Sequence, residues 1–151
     1  MKRHQSLYPL SRDHHHALVQ ALNLDKAGAG GDQAGFREAA ARFAEFWEND
    51  LQRHFEQEER IVLPLLAKFK AADAAEIGDT LEQHSAIARL IGKLNEKLAL
   101  QEEMIEPSLL ANLAESLRRH IRYEESELFP AVEASVPEEE LWLMNMRLSD
   151  R

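Results

Sequence analysis

The chain has 151 residues and no cysteine. Disulfides, zinc–thiolate sites, iron–sulfur clusters and a catalytic thiol are therefore excluded. It also lacks any apolar run approaching the roughly 20 residues that span a bilayer. Its first residues, MKRHQSLYPLSRDHHH, have no apolar middle region of the kind found in signal peptides. We therefore expect a cytoplasmic protein with no membrane contact.

Positive charge is scarce, since 27 acidic residues outnumber 18 basic ones and give a formal net charge of −9. Such a surface repels phosphate backbones and anionic lipid, so nucleic acid and membranes are poor candidates as partners. The composition is 44% hydrophobic and 30% charged, which is typical of a globular protein. At this length, the chain is expected to form a single domain, 1–151.

Glycine is also rare, and four of the six glycines fall within 27–35, which is predicted to be a loop. No segment alternates like a strand, and apolar residues recur at spacings of three and four. This pattern predicts helices from near Ser11, over about 36–69 with Pro64 kinking or ending its regular part, over about 74–101, and from Pro107 towards Pro130.

These segments predict an all-α fold, an antiparallel up-down four-helix bundle over about 10–135. A short amphipathic helix is expected in the tail, 137–151. The residues predicted to point inward are Leu18, Val19 and Leu22; Phe43, Trp47, Leu51, Ile61 and Leu65; Leu81, Ile87, Ile91, Leu94 and Leu98; and Leu109, Leu113, Leu117 and Ile121.

A cassette of fourteen residues occurs twice, as LQRHFEQEERIVLP (51–64) and LRRHIRYEESELFP (117–130), with six identical positions. Each copy places a glutamate four residues after a histidine: Glu58 after His54, and Glu124 after His120. Positions four apart share a helix face, and here that face is the apolar stripe. These four side chains are therefore predicted to point into the bundle. The adjacent Glu59 and Glu125 should face solvent or accept hydrogen bonds from imidazole N–H groups.

The other two helices each offer an inward histidine. His84 lies three and seven residues before Ile87 and Ile91. In the first helix His14 and His15 lie on either flank of the Leu18–Leu22 stripe, so either is a candidate, whereas His16 should be solvated.

A single such pair is usually a surface ion pair, and a lone inward histidine is usually a satisfied core residue. Two cassettes combined with inward histidines on the other helices favour a different interpretation. Burying ionised carboxylates without partners costs several kcal/mol each, and no lysine or arginine lies on these stripes. One or two metal ions are the simplest common partner.

With these residues the chain resembles the hemerythrin-like family, the HHE cation-binding domain. The resemblance runs over about 10–130 and is carried by the motifs LSRDHHHAL, HFEQEERIVLP, LEQHSAIARLI and HIRYEESELFP. It implies two iron ions in an Fe–O–Fe centre, with Glu58 and Glu124 as bridges and the histidines (His14 or His15, His54, His84 and His120) as terminal ligands. Manganese or zinc also suits these donors. A small diatomic molecule or peroxide is the partner that the resemblance implies.

Two positions depart from the oxygen-carrying members, which have a histidine where this chain has Ala88 and an aspartate where it has Glu124. The chain is thus similar to bacterial members implicated in iron-centre repair, in the response to nitric oxide and oxygen, or in metal handling. Reversible oxygen storage is disfavoured.

We therefore expect a non-enzymatic di-iron protein acting in sensing, stress protection, iron-centre repair or iron handling. One alternative is an oxidase or peroxidase that uses the same centre. Another is a metal-free helical module whose tail, LWLMNMRL, docks on a protein partner. The protein partner itself and assembly into a homo-oligomer stay open.

Overall fold

The computed structural model describes residues 2–149 and contains no strand within them. After a 3-10 turn at Gln5–Leu7, four long helices form an antiparallel bundle and a fifth, short helix follows, as the sequence predicted. None of the helices in this described part is long and apolar enough to cross a bilayer. The helices are α1 (Tyr8–Gly28), α2 (33–69), α3 (Ala75–Ala99), α4 (107–135) and α5 (Glu138–Leu148).

Helices α2 and α4 are each interrupted by π turns inside the repeated cassette. These turns occupy Glu58–Val62 in α2 and Glu124–Leu128 in α4. The first residue of each turn accepts a hydrogen bond from the N–H five residues later, on Leu63 and Phe129 respectively. A further π turn in α2 covers Trp47–Leu51.

A proline follows each cassette turn and explains it. Pro64 and Pro130 lack an N–H donor, and their rings would clash with the carbonyl four residues earlier in a regular helix. Widening the helix by one residue relieves this clash. Pro64 interrupts the regular part of its helix, as expected, but the predicted end of the fourth helix near Pro130 is wrong, because α4 continues to Ser135.

The predicted inward face of α1 is wrong. Leu18, Val19 and Leu22 are 41%, 46% and 50% exposed. The helix packs along α4, and its buried face includes Ala17 and Ala21, whose small size allows helices to approach closely. The buried residues of the helix are Leu10, His14, Ala17, Ala21 and Leu24.

In α3 the buried face likewise differs at one position. Ile87, Ile91 and Leu94 are buried as predicted, but Leu81 is 40% exposed. Thr80 takes its place, because it lies four residues before the buried His84 and therefore on the same face.

The predicted loop over 27–35 is shorter than expected. Helix α1 continues to Gly28, and α2 begins at Gln33 with Asp32 as its N-cap, whose carboxylate accepts from the N–H of Gly35 at 2.9 Å. Gly31 is required in this turn, since a Cβ atom there would lie 2.5 Å from the carbonyl oxygen of Ala27.

The hydrophobic core is divided into two apolar clusters with a polar layer between them. Along α2 the first cluster ends at Phe55 and the second begins at Val62, with Glu58 between them. The polar residues at the same level of the other helices are His14 on α1, His84 on α3, and His120 and Glu124 on α4. Helix α5 covers the second cluster through Leu141, Met144 and Leu148. Its Trp142, Leu143 and Met146 are exposed.

Candidate metal centre

The polar layer consists of one histidine from each long helix and one glutamate from each of α2 and α4. All six side chains are at most 4% exposed: His14, His54, Glu58, His84, His120 and Glu124. Of the seven site residues predicted from the sequence, the structure brings these six together. His15 does not join them, because it lies on the exposed side of α1 with Leu18 and Leu22. His16 is also exposed, as predicted.

The six residues form two groups that share both glutamates. Site A comprises His14, His54, Glu58 and Glu124, and site B comprises Glu58, His84, His120 and Glu124. Within each group the potential ligand atoms all lie within 4.8 Å of one another.

Each glutamate divides its two oxygens between the two sites. The Oε1 atom of Glu124 lies 2.7 Å from Nε2 of His14 in site A, and its Oε2 atom lies 3.3 Å from Nε2 of His120 in site B. The Oε2 atom of Glu58 lies 3.3 Å from Nε2 of His54, and its Oε1 atom lies 3.0 Å from Nε2 of His84. Each carboxylate therefore faces the histidines of both sites.

Several atoms of this cluster are buried without a hydrogen-bond partner. They are Nε2 of His54, Nε2 of His120, Oε2 of Glu58 and Oε2 of Glu124. A buried polar atom left unpaired costs about 1–3 kcal/mol, so native proteins seldom retain several in one place. Because these atoms are imidazole nitrogens and carboxylate oxygens that converge on common points, a cation would satisfy them together.

The pKa values of the ionisable side chains in the layer are shifted in both directions. Burial opposes protonation of His84, but the neighbouring carboxylates of Glu124 and Glu58 outweigh it and raise the pKa of His84 to about 10. Burial, together with neighbouring histidines, lowers the pKa of His120 to about 3. Burial and the charge of Glu124 raise the pKa of Glu58. Burial opposes ionisation of Glu124. The interaction with His120 and the hydrogen bonds from its other neighbours outweigh burial and hold the pKa of Glu124 well below the ordinary value.

The outward nitrogen of each histidine is held by a polar side chain from an adjacent helix. On one side of the layer, Nδ1 of His14 lies 2.6 Å from Oε2 of Glu125, and Nδ1 of His54 lies 2.9 Å from Oδ2 of Asp13. With Nδ1–H donating to these oxygens, the Nε2 lone pair of each ring is directed into the cluster.

The other side of the layer has the same arrangement. Nδ1 of His84 lies 2.7 Å from Oε2 of Glu59, and Nδ1 of His120 lies 2.7 Å from Oε1 of Gln83. The alternative in which Glu59 and Glu125 accept from imidazoles is thus confirmed. The sequence reasoning missed Asp13 and Gln83. Their signal was position, since each immediately precedes an inward histidine.

A four-helix bundle with a buried histidine–glutamate layer defines a class of protein suited to bind metal ions in its core. The model of one family, the hemerythrin HHE cation binding domain, matches residues 6–132. The chain belongs to this family. No curated protein matches the sequence of this chain.

Proposed function

We propose that the polar layer holds two iron ions, one in site A and one in site B, bridged by Glu58 and Glu124. The observation that carries the proposal is the division of each carboxylate between two histidine pairs. Two cations bridged by carboxylates typically lie about 3.5–4 Å apart, which suits two sites that share their glutamates. A donor set of imidazoles and carboxylates without sulfur favours iron, and it also accepts manganese or zinc.

We further propose that the centre binds or reacts with oxygen, peroxide or nitric oxide in sensing, stress protection, iron-centre repair or iron handling. Bound iron would supply a change of oxidation state and coordination positions that the protein leaves open. Each site offers two imidazoles and one oxygen from each glutamate. An octahedral ion therefore has room for a small exogenous ligand.

Two surface cavities reach histidines of the polar layer, which supports the proposal that a small ligand binds there. A cavity of about 260 Å³ between α1 and α2 is lined by Asp13, His16 and His54, among other residues. A second, of about 200 Å³ between α2 and α3, is lined by Glu59, His84 and Ala88, among other residues. The methyl side chain of Ala88 leaves space beside His84 where a larger residue would fill it.

The chain's own residues orient the donors. The ring of Phe55 stacks on that of His84, with centroids 3.9 Å apart and planes 10° apart. Phe129 stacks on His14 at 5.4 Å and 6°. These contacts, together with the hydrogen bonds at each Nδ1, fix every ring before a ligand arrives. Such preorganisation lowers the cost of binding.

Anaerobic titration with Fe(II), followed by exposure to air, tests the proposal. We expect two irons per chain and, in air, the charge-transfer absorption of an oxo-bridged pair. His16→Ala is the matched control, because His16 is an exposed histidine near the layer and outside both groups, and its iron content should equal that of the wild type. Fewer than one iron per chain without that absorption would refute the proposal. Steady-state turnover of peroxide or nitric oxide by the loaded protein would indicate an enzyme instead.

A further inference from the structure

The four side chains that hold the histidines form a closed ring around the bundle. Helix α4 supplies the acceptor for the histidine of α1, α1 for α2, α2 for α3, and α3 for α4. The ring is uniform in geometry but uneven in charge. Three of its members are carboxylates and one is a neutral amide: Glu125, Asp13, Glu59 and Gln83.

Two members of this ring, the carboxylate of Asp13 and the amide of Gln83, occupy equivalent positions. Asp13 immediately precedes the inward histidine of α1, and Gln83 immediately precedes that of α3. Asp13 accepts from His54 in site A, whereas Gln83 accepts from His120 in site B. Both imidazoles of site A therefore donate to carboxylates, but only one imidazole of site B does.

We propose that this difference makes the two metal positions unequal, so that site A fills first and Gln83 keeps site B weaker. The inference rests on the proposed dinuclear function. A carboxylate acceptor draws the Nδ1 proton and increases the basicity of Nε2 towards the metal, whereas an amide oxygen orients the ring with less polarisation. Outer partners of this kind are worth about 10- to 100-fold in metal affinity. We expect the two binding steps to differ by about tenfold.

Arg3, which contacts Glu125, leaves the difference between the two sites in place. Arg3 lies 3.2 Å from the carboxylate of Glu125 in the outer shell of site A, but it also pairs with Glu133 at 2.6 Å, which divides its charge. The side chains of Glu125 and Glu59 are 34% and 42% exposed and are thus similarly hydrated. The decisive contrast is the carboxylate of Asp13, which accepts from His54, against the neutral amide of Gln83, which accepts from His120.

Unequal sites have a consequence for what the protein does with its metals. The cation in site A is retained, while the cation in site B exchanges at lower affinity. A one-metal state then exists over a range of free metal concentration. That property suits a protein that delivers or senses iron.

Titration with Zn(II), followed by nitrogen NMR of the histidine rings, tests the order of filling. Zinc is stable in air and diamagnetic, and single histidine substitutions assign the signals. In the wild type, the rings of His14 and His54 should shift with the first equivalent and those of site B with the second. The double variant Asp13→Asn/Gln83→Glu keeps the net charge and exchanges the two acceptors. It should reverse the order.

Two single substitutions complete the design. Gln83→Glu should strengthen the weaker step by about tenfold and bring the two steps together, and it tests the proposal even if the double variant does not fold. Asp50→Asn is the control for charge, because Asp50 lines the same cavity as Asp13 and has no hydrogen bond to a ring of the layer. It should leave the order unchanged.

The outcomes separate this inference from the proposed function. Simultaneous filling of both sites in the wild type, or an order that the exchange of acceptors does not reverse, would overturn the inference and leave the dinuclear centre intact. Failure of the wild type to bind two zinc ions would overturn both.

Discussion

Removal of the metal should destabilise the fold markedly, because the polar layer lies between the two halves of the core. The metal-free protein must keep atoms of His54, Glu58, His120 and Glu124 buried without hydrogen-bond partners. Loading with Fe(II) or Zn(II) should satisfy all of them. The difference in unfolding temperature between the loaded and chelated protein measures their cost.

The magnitude follows from the count of unpaired atoms. Each of the four costs about 1–3 kcal/mol, and shared protons relieve part of this, so we take the lower bound of about 4 kcal/mol. Mass action gives a similar figure, since a ligand at a thousandfold excess over its Kd stabilises by about 4.1 kcal/mol. For a domain of this size, about 2–4 °C per kcal/mol converts this to a rise of about 8–16 °C.

Differential scanning calorimetry of the chelated and reloaded protein is the assay. His16→Ala should show the full rise, because its imidazole is exposed and outside the cluster. A rise of less than about 2 °C in the wild type at saturating metal would show that the layer is stable without a cation. That result would refute the reasoning from unpaired atoms and favour a metal-free helical module.

Further predictions concern stoichiometry, protons and the face of α1. Replacing Glu58 or Glu124 with Ala should abolish the dinuclear centre, and metal analysis should find at most one ion per chain; two ions would show that the carboxylate is not a bridge. Although burial opposes it, carboxylate contacts raise the pKa of His84 to about 10, so the metal-free protein carries a proton there at neutral pH. Metal binding must expel it, so affinity should rise with pH up to about pH 10. Calorimetry in buffers of different ionisation enthalpy should detect proton release, and its absence would contradict the assignment. Leu18→Ala should change the free energy of unfolding by no more than about 0.5 kcal/mol, whereas Ala17→Leu should cost about 1–3 kcal/mol in chemical denaturation. Equal effects would place the α1 interface elsewhere.

The helical fold and five of the six residues of the polar layer were predictable from local patterns. Helical periodicity and the repeated cassette placed His54, Glu58, His120 and Glu124 on inward faces, and the spacing to Ile87 and Ile91 did the same for His84. These predictions needed only the turn angle of a helix and the location of its apolar stripe.

The first helix could not be solved in this way. Leu18 and Leu22 point to solvent, and beyond His14 the buried face continues with Ala17 and Ala21, whose small size matters only once α4 lies against them. Choosing between His14 and His15 therefore required the packing of a second helix. Asp13 and Gln83 were missed for a related reason, because each contacts a histidine of another helix.

The π turns connect the repeated cassette to the position of the centre. A regular helix predicted Ile61 and Leu65 on the inner face of α2 beyond Glu58, but the fully buried residues there are Val62 and Leu66. The shift of one position is what a turn with one extra residue produces. Because a proline ends each cassette, the same adjustment occurs in both cassette helices. It allows each helix to direct a glutamate into the polar layer and still present apolar residues to the second cluster. The proline is thus part of the motif for a structural reason, in addition to the histidine and glutamates that face the centre.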